Sequence, residues 1–302
     1  MTRYIILFAT ILFFASCKND KVANEKDNLS VGELAYNKQP TKENAKTALS
    51  EVSNQIKENR DDPKIVKKLS ERALDIARHN NLTNKQISFL LLLSKEYPND
   101  PKAKTRLLEL ANIMYKINKK QAANVLYSGV LDRFADTDAA KEAKSKRAPE
   151  VSNVKQYLTK VGEDVFVNPD KFGINRKAAQ SYVDACEAFA LAYPDTKEAP
   201  EFLYKATEIS RTLRTFTKSL SMYDWIIDEY PQYEKAPTAM FLKGFIIENE
   251  LNNDEAAMKV YKTFLSRYPD HQLRDDVQFL LDNVGKTDEE IMDMIEKNKK
   301  PS

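Results

Sequence analysis

The stretch TAMFLKGFIIENELNNDEAAMKVYKTFLSRYP, residues 238–269, reads as two amphipathic helices joined by a polar turn and closed by a Tyr-Pro pair. Tyr261 stands seven residues before Tyr268, which is two helical turns, so both rings fall on one face. Pro269 then ends the helix, because proline disfavours helical backbone in the residue before it. The same punctuation recurs along the chain. Tyr97-Pro98, Tyr193-Pro194, Tyr230-Pro231 and Tyr268-Pro269 are separated by 96, 37 and 38 residues, and Phe134-Ala135 fills the slot 37 after Tyr97. Seven residues before each lies an apolar or aromatic side chain: Leu90, Tyr127, Cys186, Tyr223 and Tyr261.

The agreement extends upstream. Counting back from Pro269 gives Phe241, Gly244, Phe245, Ala257, Tyr261 and Phe264; from Pro231 it gives Leu203, Ala206, Thr207, Ser219, Tyr223 and Ile226. From Ala135 it gives Leu107, Leu110, Ala111, Ala123, Tyr127 and Val130; from Pro98, Ser70, Ala73, Leu74, Gln86, Leu90 and Leu93. Large, small, small, then small and aromatic, then a stop: this pattern resembles the tetratricopeptide repeat. Ser219 and Gln86 depart from it where alanine is usual, Thr207 and Phe245 where glycine or alanine is usual, and no Trp opens a first helix. The resemblance implies an all-α fold, a right-handed α-solenoid of helical hairpins. Its repeats are placed at about 67–100, 104–137, 200–233 and 238–271, with a degenerate one at 150–196 interrupted by Val165-Phe166-Val167, Pro169 and Gly173.

Composition agrees. Only 6 of 302 residues are glycine, about 2% against roughly 7% in ordinary chains, which disfavours turn-rich β architectures and phosphate-cradling loops. The 47 Lys and Arg balance 45 Asp and Glu, so no global field suits nucleic acid. Only two His and two Cys are present, and with His79 and His271 far apart, as are Cys17 and Cys186, the paired ligand spacing of a Cys/His zinc site is missing.

Residues 1–16 read as a targeting segment: Arg3 is followed by an apolar run from Ile5 to Ala15, too short to span a bilayer. The run ends Phe14-Ala15-Ser16-Cys17, which resembles the lipobox of bacterial lipoproteins and implies lipidation of Cys17. By analogy with the enteric sorting rule, Lys18 in place of Asp points to the outer membrane; the domain is expected to face the periplasm rather than the cell surface, although Cys17-Lys18-Asn19-Asp20-Lys21 loosely resembles the tag of some surface-exported lipoproteins. Residues 17–40 are polar and charge-mixed and are expected to be a flexible tether. The solenoid is expected over 41–286, with helix 42–58 covering one end and a helix and tail at 287–302 the other. Asp62-Pro63 and Asp100-Pro101 read as N-cap and first helical residue. Thr83 with Gln86, and Thr287 with Glu290, read as capping boxes, and Gly285 as a helix stop.

No catalytic set, metal site or cofactor is expected. His79 sits at a helix end, and Cys186 lies on the apolar face with Phe189, with no cation nearby to activate it. Function is therefore expected from a surface. In tetratricopeptide arrays the first helix of each hairpin lines a concave groove, which implies Arg78 in one repeat, Asn112 and Tyr115 in the next, and Tyr204, Glu208, Arg211, Ile246 and Asn249 in the later ones. That mixture suits an extended peptide or a partner helix. Lipobox and repeats together resemble the lipoprotein of the outer-membrane β-barrel assembly machine; the repeats alone also resemble a periplasmic coordinator of cell-wall synthesis and division. The expected partners are envelope proteins, with the membrane engaged through Cys17. A lipoprotein that binds glycans or peptides is the alternative.

Overall fold

The computed structural model describes residues 29–169, 173–287, 289, 290 and 292. Cys17 and most of the expected C-terminal helix lie outside these residues. Among them are fourteen α-helices and no strand: α1 (Val31–Lys38), α2 (Lys42–Glu58), α3 (Pro63–His79), α4 (Thr83–Glu96), α5 (Ala103–Lys116), α6 (Lys120–Arg133), α7 (Asp138–Lys146), α8 (Val154–Glu163), α9 (Arg176–Ala192), α10 (Glu198–Thr212), α11 (Phe216–Glu229), α12 (Ala236–Asn249), α13 (Asp254–Arg267) and α14 (Arg274–Asn283). Neighbouring helices pack in series, as in a tetratricopeptide-like solenoid. The helix pairs α3–α4, α5–α6, α10–α11 and α12–α13 span 63–96, 103–133, 198–229 and 236–267.

The turn inside each hairpin explains how so few glycines suffice. Asn81, Asn118, Arg214 and Asn252 have φ of 52°, 64°, 57° and 50°, each sixteen residues before the Tyr or Phe that ends its hairpin. Asparagine tolerates this left-handed conformation better than most residues, so it stands where glycine is usual. The first three turns close by a six-to-one bond, Leu82 N to Ala77 O at 2.9 Å, Lys119 N to Met114 O at 2.8 Å and Thr215 N to Ser210 O at 2.9 Å.

Several local expectations are corrected. The chain is helical from Val31 to Lys38 within the expected tether, because Ser30 and Glu33 form a complete capping box and Arg72 of α3 clamps the buried Glu33 at 2.8–2.9 Å. Asp62 caps α3 as expected, but α5 begins at Ala103 rather than Pro101; Asp100 Oδ1 still accepts from the Lys102 amide at 2.8 Å, while the same carboxylate also pairs with Lys67 and Arg106. Thr83 lies inside α4, and Gln86 donates to Ala77 O at 3.2 Å instead of completing a box. Thr287 and Glu290 do bond reciprocally, and Gly285, at φ +79°, follows the end of α14.

The degenerate segment departs from the serial rule. The short α7 packs on α6 and α5, α8 and a 3-10 turn (Asp164–Phe166) pack on α9, and α6 packs directly against α9. Gly129 permits that contact: a Cβ built there would lie 2.4 Å from the Ala192 Cβ and 3.0 Å from its Cα. Alanine in a helix is worth about 0.5–1 kcal/mol over glycine, but displacing the α9 backbone costs about 1–3 kcal/mol. Gly129→Ala is therefore expected to lower the urea midpoint, and a raised midpoint would refute the close approach.

The core is a continuous apolar seam. Tyr127, Tyr223, Tyr261, Phe189 and Phe264 have no exposed surface. Gly244 lies against Tyr261, where an added Cβ would sit 2.4 Å from the ring.

Candidate binding groove

The repeat tyrosines are core residues with a polar end that reaches the first helix of the same hairpin. The Tyr127 hydroxyl donates to Asn112 Oδ1 at 2.8 Å, Tyr223 to Glu208 Oε1 at 3.2 Å and Tyr261 to Glu248 Oε2 at 2.6 Å. Burial pushes the Tyr127 phenol up to about 12 and those of Tyr223 and Tyr261 upward too, so all three remain donors at neutral pH.

Asn112 and Glu208, two of the residues expected in the groove, are thus engaged from within. Asn112 also donates to Glu142 at 3.0 Å and accepts from Lys146 at 2.9 Å, tying α5 to α7. Glu208 accepts from Arg211 at 3.2 and 3.3 Å. Arg78 grips Glu109 across α3 and α5, which holds its guanidinium above its ordinary range, and Asp75 at 2.7 Å. Arg78 and Asn112 thus reach the element that follows their own hairpin, whereas the partners of Glu208 lie within its hairpin.

The remaining expected residues divide. Tyr115 is 49% exposed, with the Lys120 ammonium 5.9 Å from its ring centre. Asn249 is exposed and donates to Phe245 O of its own helix at 3.0 Å. Ile246 is only 2% exposed, so it is the floor of a cleft rather than a projecting contact. That cleft brings Glu208, Arg211 and Ile246 together with Phe216 and Phe245, while Asn112 lines another with Leu108 and Lys116. Tyr204 belongs to neither. It lines a groove of about 1050 Å³ at the turns that follow α9 and α11, with Tyr230, Tyr233, Lys197 and Lys235. The sequence reading missed these four. Tyr230 was assigned only to the helix stop, and the signal that could have found it is the second aromatic in Tyr230-Pro231-Gln232-Tyr233.

Among the described residues no three His, Cys, Asp or Glu side chains are grouped to hold a metal ion, and no helix is long and apolar enough to cross a membrane. His79 Nδ1 meets Asp75 O at 2.7 Å, and His271 Nδ1 accepts from the Leu273 amide at 3.1 Å. Cys186 is a free, fully buried thiol that burial pushes up to about 12, far from a thiolate at neutral pH.

A family model for the tetratricopeptide repeat matches residues 238–271, the α12–α13 hairpin. The match supports a tetratricopeptide-type protein, a class whose repeats serve as protein–protein interaction scaffolds. No curated protein matches the chain.

Proposed function

We propose that this protein is a non-catalytic scaffold, anchored by lipid on Cys17 to the outer membrane and facing the periplasm, that binds envelope proteins through the clefts of its hairpins. Outer-membrane protein assembly is the particular process we favour. The observation that carries the reading is the stack of tetratricopeptide-like hairpins with aromatic and charged side chains open to solvent between them. Tyr115 is exposed, and Tyr204 and Arg211 are partly exposed; aromatic rings and guanidinium groups are the types that dominate the energetics of protein interfaces.

Photo-crosslinking in cells from position 115, followed by mass spectrometry, tests it. Recovery of barrel-assembly proteins is expected, and their capture falls when Tyr115, Tyr204 and Arg211 are changed to Ala with helicity unchanged. Recovery of no protein, together with saturable saccharide binding, would overturn the scaffold. Labelled palmitate is expected to enter the chain and Cys17→Ala to abolish that labelling; a Cys17→Ala chain that still labelled would remove the anchor.

A further inference from the structure

The carboxyl ends of α4, α9 and α11 meet at one cleft of about 140 Å³, lined by Ser94 and Glu96 of the first, Ala190 of the second, and Trp225 and Glu229 of the third. Each helix end carries roughly half a negative charge, so three of them favour a cation in the space between. Arg133 answers part of this field, donating to Leu191 O, Ala192 O and Pro98 O at 3.3, 3.2 and 2.8 Å. Asp195, on the turn after α9, adds a third carboxylate to those of Glu96 and Glu229.

These carboxylates are only partly matched. Lys95 pairs with Glu96 at 3.4 Å, its ammonium 5.7 Å from the Trp225 ring centre. The Asp195 and Glu229 carboxylates accept no hydrogen bond and form no ion pair among the described residues. Arg133 acts on Asp195 through its charge alone. Partial burial raises the Glu229 carboxyl; Lys95 opposes the rise, and the charges of Glu96 and Asp228 add to it. Ser94 is a separate sign of a missing partner. It is 3% exposed and lines the cleft, and its hydroxyl bonds to nothing. Ser70, Ser210 and Ser219 also lack partners but line none of the clefts above.

The wider field has the same sign. Residues 184–290 hold 21 Asp and Glu against 12 Lys and Arg, although the whole chain is nearly neutral, so this half attracts cations from a distance. Among the described residues no three acidic side chains are grouped to hold a metal ion, which favours an organic cation. A lysine ammonium is compact and brings three donors, one each for Ser94, Asp195 and Glu229, while its apolar stem suits walls of Trp225 and Tyr230. The groove of about 1050 Å³ beside the cleft shares Pro194, Asp195, Glu229 and Tyr230 with it, and gives room for a main chain.

We propose that this cleft takes the side chain of a lysine from a partner protein, its ammonium bonded to the Asp195 and Glu229 carboxylates and the Ser94 hydroxyl. The partner's main chain lies in the adjoining groove. This rests on the scaffold reading above and narrows it to a cationic segment at one place.

The test titrates the full chain at low ionic strength with an acetylated, amidated Gly-Ser-Lys-Ser-Gly peptide, its norleucine counterpart and spermidine. Calorimetry and the emission of Trp225, the sole tryptophan, report binding. Saturable binding of the lysine peptide is expected, weakened about fivefold in Asp195→Asn or Glu229→Gln and about threefold in Ser94→Ala. Asp276→Asn removes the same charge from an exposed site on α14, outside the cleft, and should leave binding within about 1.5-fold. No binding of the lysine peptide, equal binding of the norleucine peptide, or equal weakening by Asp276→Asn and Glu229→Gln would overturn the proposal. Spermidine bound where the peptide is not would make the cleft a polyamine site and overturn it too. Crosslinking from position 115, outside this cleft, separates the two readings: envelope proteins captured there without binding of the lysine peptide remove this inference alone, whereas loss of both removes the scaffold as well.

Discussion

Phe189→Ala is expected to remove about 3–5 kcal/mol of folding stability, the range for deleting a fully buried aromatic ring. The ring has no exposed surface and touches Tyr193 and Phe202 at centroid distances of 4.8 Å each, stacked on the first and edge-on to the second. It sits on α9, the helix that packs against both α6 and α10, so the cavity opens where the two halves of the array join. Domains are stable by only about 5–15 kcal/mol, which makes this about a fifth or more of the total. In an array stabilised by neighbour contacts, weakening one junction also uncouples what lies on either side. Urea unfolding followed by circular dichroism should therefore show a lower midpoint and a shallower slope. Phe166→Ala, at a ring 65% exposed, is the control and should change stability by under about 0.5 kcal/mol. Equal effects of the two substitutions would contradict the core described here.

The second large effect is electrostatic. Arg106 and Asp100 have side chains only 3% and 6% exposed; Arg106 reaches Glu71 at 2.5 Å and Asp100 at 3.3 Å, and Lys67 also pairs with Asp100. Removing one partner of a buried pair leaves an uncompensated charge, so Arg106→Met should cost about 3 kcal/mol even though Lys67 remains. Burial alone would raise the Asp100 carboxyl, but the hydrogen bonds from Lys67 and the Lys102 amide, with the charges of Arg106 and Lys67, outweigh it and hold it below the usual range. A carboxyl lowered in the folded state contributes stability that is fully present above the unfolded pKa of about 4. That contribution is lost as the pH falls through the lowered folded value. Asp100→Asn should thus be destabilising at pH 7 and flatten the acid limb of the stability profile, as read by melts between pH 7 and 2.5. An acid limb unchanged by Asp100→Asn would show that other carboxylates govern it.

Much of the architecture was legible because it depends on periodicity. The Tyr-Pro stops and the seven-residue offset to Tyr127, Tyr223 and Tyr261 state where helices end and which face is buried, and a helix has few other ways to satisfy them. Punctuation by polar residues was less legible. Asp100 and Gln86 satisfy the sequence rules for capping, yet Asp100, besides accepting from the Lys102 amide, pairs with Lys67 of α3 and Arg106 of α5, and Gln86 donates to the Ala77 carbonyl of α3. The groove was legible only in part. Helical phase placed Asn112, Glu208 and Arg78 near the open face, but whether such a side chain is free depends on what faces it, and tyrosine hydroxyls and carboxylates on other helices occupy these three.

By itself the sequence determined an all-α chain of repeated hairpins, since apolar spacing, helix stops and a shortage of glycine are properties of short segments. Three things were decided only by tertiary structure: the direct seating of α6 on α9 across α7 and α8, the burial of Ile246, and the gathering of Tyr204, Tyr230 and Tyr233 into one groove. Each joins residues on separate elements, and their meeting depends on how one hairpin is rotated against the next. That rotation is set by a few close approaches, such as Gly129 on Ala192, which local spacing along the chain does not encode.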